Sequence, residues 1–200
     1  MALFPRSADD GMKAVLEMRE ALVVFNEEQA KINREAIHVG YGLNTGPAML
    51  GTIGEEARMD ANVISDAINL ASRVESLNKF YGTEFLMSDA TMQALSDPKE
   101  YAMRLVDKVQ VKGKKNVIRL YEVYKNGTVD DKLQAFITMY EAAFAEYAAG
   151  KLQEALKGFA KCLELKPQDQ SCVLLLERCE ALLKSGLPDG WDGTYAMTHK

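Results

Sequence analysis

The sequence has only three cysteines, Cys162, Cys172 and Cys179, and two histidines, His38 and His199. Cysteines this few, gathered in one stretch, do not make the disulfide framework of a small secreted domain. They have neither the close spacing nor the histidine partners of a zinc site, so they read as core residues in a reducing compartment. No apolar run approaches the roughly 20 residues needed to cross a bilayer. No basic stretch leads into an apolar one at the N-terminus, as a secretory signal would require. The expectation is a cytoplasmic chain, or the cytosolic part of a larger membrane-attached one. Clustered positive charge is also missing: 24 Lys and Arg face 29 Asp and Glu, a formal net charge of -5. The one basic run, Lys112 to Lys115, is too short to offset this, which argues against nucleic acid or an anionic membrane as a partner.

What is present is an ordinary globular composition, 48% hydrophobic and 26% charged, in 200 residues, enough for one generous domain or two small ones. "MALFP" reads as the end of a strand. Ser7 caps the helix after it, with Asp9 and Asp10 in the first turn. Ala14, Val15, Met18, Ala21, Leu22 and Phe25 recur at helical spacing and predict its buried face. "IHVGYGLNT" and "AMLGTIG" read as two strands joined by a Gly-Pro turn, and "EEARMD" as a charged linker. Ser65 is the expected N-cap of the next helix, with Ile68, Ala71, Val74 and Leu77 as its inward stripe and Tyr81-Gly82 as its end. "TEFLMS" predicts a short strand and "DATMQAL" a short helix. "YAMRLVDKVQVKG" and "NVIRLYEVY" predict a strand pair turning around Gly113. After Asn126-Gly127 strand signals stop, and helices are expected over 131–148, 151–164 and 170–185, then an irregular tail. The expected division is 1–126 and 127–200.

Within "VISDAINLASRVE", residues 63–75, Asn69 and Arg73 stand four apart on one helix face. By residue type alone such a pair is either an ordinary solvated face or a device aimed at a ligand. The surrounding pattern favours the second reading. "RMDANVISDAINLASRVESLNKFYG" resembles the signature segment of the class III nucleotidyl cyclases, the adenylate and guanylate cyclases. "GYGLNTGPAMLGTIG" resembles their glycine-punctuated strand pair, "VKGKKNVIRLYEV" their closing hairpin, and "MALFP" the strand end after a Gly-Asp motif. The resemblance covers residues 1–124.

It implies an α+β, ferredoxin-like fold lacking its N-terminal strands and helices, and a head-to-tail homodimer with the active site between protomers. The implied reaction is attack of the ribose 3′-hydroxyl on the α-phosphorus of a nucleoside triphosphate, ATP ahead of GTP, releasing pyrophosphate. Asn69 would orient the ribose, and Arg73 would meet charge developing on the α-phosphate. Such a reaction gains from positioning and charge stabilisation, and a guanidinium offers permanent charge in a fork matched to phosphate oxygens. Asn62 occupies the base-reading position; its amide can pair with either purine, or it simply sits in a turn. Lys112 and Lys114 fall where a lysine lies near the triphosphate, or else at a solvated hairpin tip. Gly42, Gly46, Gly51 and Gly54 read as backbone-geometry glycines, since none opens a helix as a phosphate cradle would.

The family's two Mg or Mn ions are held by two aspartates that would precede Met1, so no metal ligand is assigned here, and the isolated chain is expected to be inactive. Met1 then reads as an internal methionine or the product of an incomplete gene. "AEYAAGKLQEALKGFAKCLELKPQD" resembles one tetratricopeptide repeat, with Tyr147, Gly150, Ala155, Phe159, Cys162 and Pro167 near the usual positions. Two antiparallel helices are expected, capped by a third through Val173, Leu174, Leu176 and Leu183, with Trp191 anchoring the tail. One repeat is too little to stand alone, so it is expected to pack on the cyclase part or a second copy, as a bracing or dimerising module or a site for a protein partner. A non-catalytic interaction module is the alternative to the enzyme.

Overall fold

The computed structural model describes residues 1–55, 58–110, 117–127 and 129–197. In chain order the elements are α1 (Ala8–Lys31), β1 (Tyr41–Leu43), β2 (Met49–Glu55), β3 (Arg58–Ile64), α2 (Asp66–Tyr81), β4 (Phe85–Ser88), α3 (Asp89–Ala94), β5 (Tyr101–Gln110), β6 (Val117–Asn126), α4 (Asp131–Ala148), α5 (Leu152–Leu165), α6 (Gln170–Ser185) and β7 (Tyr195–Ala196). A mixed sheet runs in the order β1-β4-β6-β5-β7, and β2 and β3 form a separate hairpin.

Side chains alternate across this sheet, as a strand's period of two requires. On one face Phe85, Met87, Tyr101 and Val123 pack with Met12 and Val15 of α1. On the other, Leu86, Val106, Val109, Ile118 and Leu120 pack with Val74 and Tyr81 of α2. Helices α4–α6 lie on this second face, where Leu105 and Tyr124 join their cluster of Phe136, Tyr140, Phe159 and Leu175.

Local expectations hold where a cap or a breaker set them. Asp10 N–H bonds Ser7 Oγ at 3.1 Å, Ala67 N–H bonds Ser65 Oγ at 2.9 Å, and α2 ends at Gly82 with φ 65°. The helices after residue 130 fall within a residue of expectation.

Several expectations need correction. "MALFP" is not strand: its residues are exposed and join no sheet among the described residues. Strands gain their stability from pairing and from a covered face. The first long strand shrinks to Tyr41–Leu43, which pairs in parallel with β4 rather than with β2. The partner of β2 is β3, which takes up the end of the supposed charged linker, with Gly51 opposite Asn62. In α1, Met18, Ala21 and Phe25 are exposed. That helix is apolar on several sides, so periodicity does not choose its inner face. Its second half is instead oriented by polar groups. Arg19 donates to the carbonyls of Val123 and Tyr124 at 3.1 and 2.8 Å, and the Asn26 amide brackets the backbone of Ile37. In α6 the buried line is Cys172, Leu175 and Cys179, while Leu183 is exposed. The tail is not wholly irregular, for β7 pairs in parallel with β5 at Val109 and Gln110.

Charge holds the helices on the sheet. Arg104 and Glu122 are cross-strand partners on β5 and β6. The Arg104 Nε donates to Glu122 at 2.7 Å, and its two terminal nitrogens donate to the Asp169 carboxylate at 3.2 and 2.8 Å. Asp169 caps α6 through Cys172 N–H at 3.0 Å. The guanidinium lies 4.2 Å from the Tyr140 ring centroid and 4.9 Å from that of Phe136. Arg104 is 1% exposed, and a charge so buried is tolerated only when every donor is met.

Two predictions follow from this packing. Burial pushes the Asp169 carboxyl up, but Arg104 and Lys166 outweigh it and hold it below the ordinary value. Its stabilising contribution is therefore complete above about pH 5 and is lost as pH falls through the folded value. Asp107 has the opposite sign, because burial holds its carboxyl above the ordinary value. Asp169→Asn is expected to flatten the fall in unfolding free energy between about pH 5 and 3, followed by urea denaturation. The second prediction concerns Gly42, where a Cβ would lie 2.3 Å from the Glu75 backbone nitrogen in α2. Gly42→Ala is expected to cost about 1–3 kcal/mol in the same assay, because the helix must move outward.

Candidate active site

Helix α2 carries the candidate pair. Its inner line of Val74, Asn78 and Tyr81 is buried. Asn69, Arg73, Ser76 and Phe80 recur at helical spacing on an exposed stripe. The structure thus brings Asn69 and Arg73 onto one exposed face of α2, directed away from the core of their own chain.

Short polar contacts set the helix's N-terminal end. The Ser65 hydroxyl donates to Pro47 O at 2.5 Å. The Asn44 amide donates to Ala67 O at 2.9 Å and accepts from the Ser88 hydroxyl at 2.7 Å. A Cβ at Gly46 would come within 2.7 Å of the Ala67 Cβ. Gly42 and Gly46 are therefore needed for close approach of α2, in keeping with a backbone role.

The C-terminal end is held from the helical segment. The Tyr81 hydroxyl donates to the buried Asp107 at 2.6 Å, and Ser171 donates to the Tyr81 carbonyl at 3.0 Å. Arg178 of α6 closes on the same Asp107 oxygen at 2.5 Å. Of these residues only Tyr81 was marked in the sequence, as the end of α2. The available signal was a charged residue inside an apolar pattern, Asp107 after Leu105-Val106 and Arg178 beside Cys179.

The remaining candidates are placed less fully. Asn62 lies on β3, opposite Gly51 in the hairpin that leads into α2. Lys112 and Lys114 lie outside the described residues, between the paired ends Gln110 and Val117 of β5 and β6. His38 precedes β1 and lines a groove of about 1050 Å³, with Arg19, Val23, Ile37, Glu75 and Lys79, between α1 and the end of α2. That groove shares Ser76 with the exposed stripe but is not lined by Asn69 or Arg73, and its Arg19 is already committed to Val123, Tyr124 and Glu84. The three cysteines are buried. Among the described residues no group of three His, Cys, Asp or Glu side chains stands together to hold a metal ion, and no helix is long and apolar enough to cross a membrane.

Residues 4–124 match the model of the adenylate and guanylate cyclase catalytic domain. The chain is 32% identical over 193 residues to the terminal-differentiation-specific adenylate cyclase of Dictyostelium discoideum, covering 92% of this chain and 9% of that protein. An alignment that long continues past residue 124 into α4–α6. Identity to an adenylate cyclase of Anabaena cylindrica is 41% over 129 residues, 62% of this chain and 26% of that protein. The chain thus spans about a quarter or less of these two relatives. In structure it is similar to the adenylyl cyclase CyaB from P. aeruginosa, with TM-score 0.51 and 26% identity over 60% of this chain and 59% of that one. The chain belongs to the family of adenylate and guanylate cyclase catalytic domains.

Proposed function

We propose that this chain supplies the ribose- and phosphate-facing helix of a nucleotidyl cyclase that converts a nucleoside triphosphate to the 3′,5′-cyclic monophosphate and pyrophosphate. ATP is the proposed substrate, ahead of GTP, since both curated relatives described above are named adenylate cyclases. The observation that carries the proposal is the exposure of Asn69 and Arg73 on one stripe of α2, a helix fixed at both ends by buried or part-buried hydrogen bonds.

The chemistry assigned to the pair is positional and electrostatic. The Asn69 amide holds the ribose so that its 3′-hydroxyl lies in line with the α-phosphorus. The Arg73 guanidinium donates to the α-phosphate oxygens as negative charge grows on them. Asn62 is assigned to the base, and Lys112 and Lys114 to the triphosphate. Because Asn69 and Arg73 face outward, their natural complement is a second subunit, and we assign the working unit as a homodimer. In this family Mg or Mn ions assist the attacking and leaving oxygens. The described residues do not fit such ions, and no step above passes through them.

We assign α4 and α5 to a single tetratricopeptide-like repeat, a reading supported by their close approach, since a Cβ on Gly158 would meet the Ala143 side chain at 2.6 Å. Their buried residues are spent on one another and on the sheet, which favours a bracing module over a groove for a protein partner.

The 200-residue polypeptide alone, with ATP and manganese, is expected to give little or no cyclic AMP. It should become active when mixed with a longer class III cyclase that keeps its metal carboxylates but has alanine in place of its own transition-state arginine. Arg73→Ala in this chain should lower that rate by about 100-fold or more, and Asn69→Ala by about 10-fold or more. A mixture as silent as the separate proteins would overturn the reading.

A further inference from the structure

The active-site helix is gripped from behind by residues that lie outside the matched catalytic domain. Arg178 on α6 is the centre of the grip. Its Nη1 donates to Asp107 Oδ2 at 2.5 Å, and Tyr81, the last residue of α2, donates to that same oxygen at 2.6 Å. The other Asp107 oxygen accepts from Lys108 N–H at 2.7 Å. Asp107 is 0% exposed, so the charge pair is shielded from solvent and salt. The Arg178 guanidinium lies 3.5 Å from the Tyr195 ring centroid of β7. One side chain thereby ties the end of α2 to β5, α6 and the terminal strand.

Three neighbouring contacts act at the same place. Ser171, at the start of α6, donates to the Tyr81 carbonyl at 3.0 Å. A Cβ at Gly82, the left-handed residue that ends α2, would lie 2.7 Å from the Gln170 Cβ. Leu174 packs on the cluster containing Val74 and Tyr81. The terminal segment is fastened to α4 and to the end of β5. Trp191 donates to Tyr147 O at 2.9 Å, Lys108 pairs with Asp192, and Met197 N–H bonds Gln110 O at 3.0 Å. Gln110 is the last described residue before the segment that contains Lys112 and Lys114.

We propose that Arg178 is a positioning residue for the cyclase reaction, setting the pose of Asn69 and Arg73 through Asp107 and Tyr81. This rests on the cyclase reading of that pair. Tyr81 is two turns beyond Arg73, about 12 Å along a rigid helix. A displacement of the gripped end therefore moves the guanidinium against its phosphate, and a misplacement of about 1 Å costs about 100-fold in rate. The helical segment is then part of the catalytic apparatus, although none of its residues touches substrate. It also becomes a route by which anything that shifts α6 or the terminal strand changes turnover.

The test uses the full 200-residue chain. Arg178→Met alone leaves Asp107 buried beside a neutral hydroxyl and risks misfolding, so Asp107→Asn/Arg178→Met, which removes both charges, is the main variant. Ser171→Ala is the mild one. Amide hydrogen exchange on the chain alone is expected to rise by about 10-fold or more over residues 74–81 and stay unchanged over α4 and α5. In the mixed assay kcat should fall by about 10-fold or more with KM within about twofold, since the lost interaction belongs to the transition state. Ser171→Ala should change both in the same direction and by less. Unchanged exchange in α2, an equal loss of protection throughout the chain, failure of the double variant to fold, or an unchanged kcat would each overturn the proposal. If the unaltered chain gives no turnover in the mixture, the cyclase reading fails and the positioning claim falls with it, whereas a fault confined to the variants counts against Arg178 alone.

Discussion

A guanidinium with almost no access to water, Arg104, organises the union of sheet and helices. It meets its cross-strand neighbour Glu122 and the helix-capping Asp169, and it stacks between Tyr140 and Phe136. Desolvating one cation and two carboxylates is costly, and the cost is offset only because the acceptors are placed to meet the donors. The Tyr124 hydroxyl gives Glu122 a further donor at 2.8 Å. Asp169 is also the N-cap of α6, so the ion pair and the start of that helix form together. A shift of α6 by one residue would leave both Arg104 and the helix end unmet. Apolar contact alone would tolerate sliding, and this cluster does not.

Once α6 is placed, the rest of the second face follows. Ser171 and Arg178 lie on the same helix as the Asp169 cap and reach Tyr81 and Asp107. The Tyr140 hydroxyl donates to the Val106 carbonyl at 2.7 Å, where β5 departs from regular register between Leu105 and Asp107. That irregularity turns Asp107 toward Tyr81 and Arg178. The exposed stripe of α2 is thus the outer side of a helix whose inner side is defined by residues far along the chain. In the proposed cyclase reading, function depends on a buried electrostatic joint behind the exposed stripe of α2.

Much of this was legible in the sequence wherever local chemistry was decisive. Ser7, Ser65 and Gly82 mark helix ends through hydrogen bonds or backbone conformation that few other residues supply. The Asn69–Arg73 pair and its family pattern could be read before any coordinates. Pairing was harder. The segment 37–43 carries apolar alternation, yet parallel pairing with β4 requires knowing that α2 crosses between them. The β3 strand was hidden by the charges of "EEARMD". The inner face of α1 was misread because its orientation is set by Arg19 and Asn26, polar residues that an apolar count ignores. The same blindness hid Arg104, Asp107, Asp169 and Arg178, since a buried ion pair looks like two surface charges until the chain is folded.

The most direct measurement is a double-mutant cycle between Arg104 and Asp169, using Arg104→Met and Asp169→Asn, which keeps a capping side chain. Unfolding free energies of the four proteins near pH 7 give the coupling. A value of about 2 kcal/mol or more is predicted for a buried, hydrogen-bonded pair that joins the helices to the sheet. A coupling within about 0.5 kcal/mol of zero would contradict the account, because the two side chains would then contribute independently and Arg104 would not fasten α6 to the sheet.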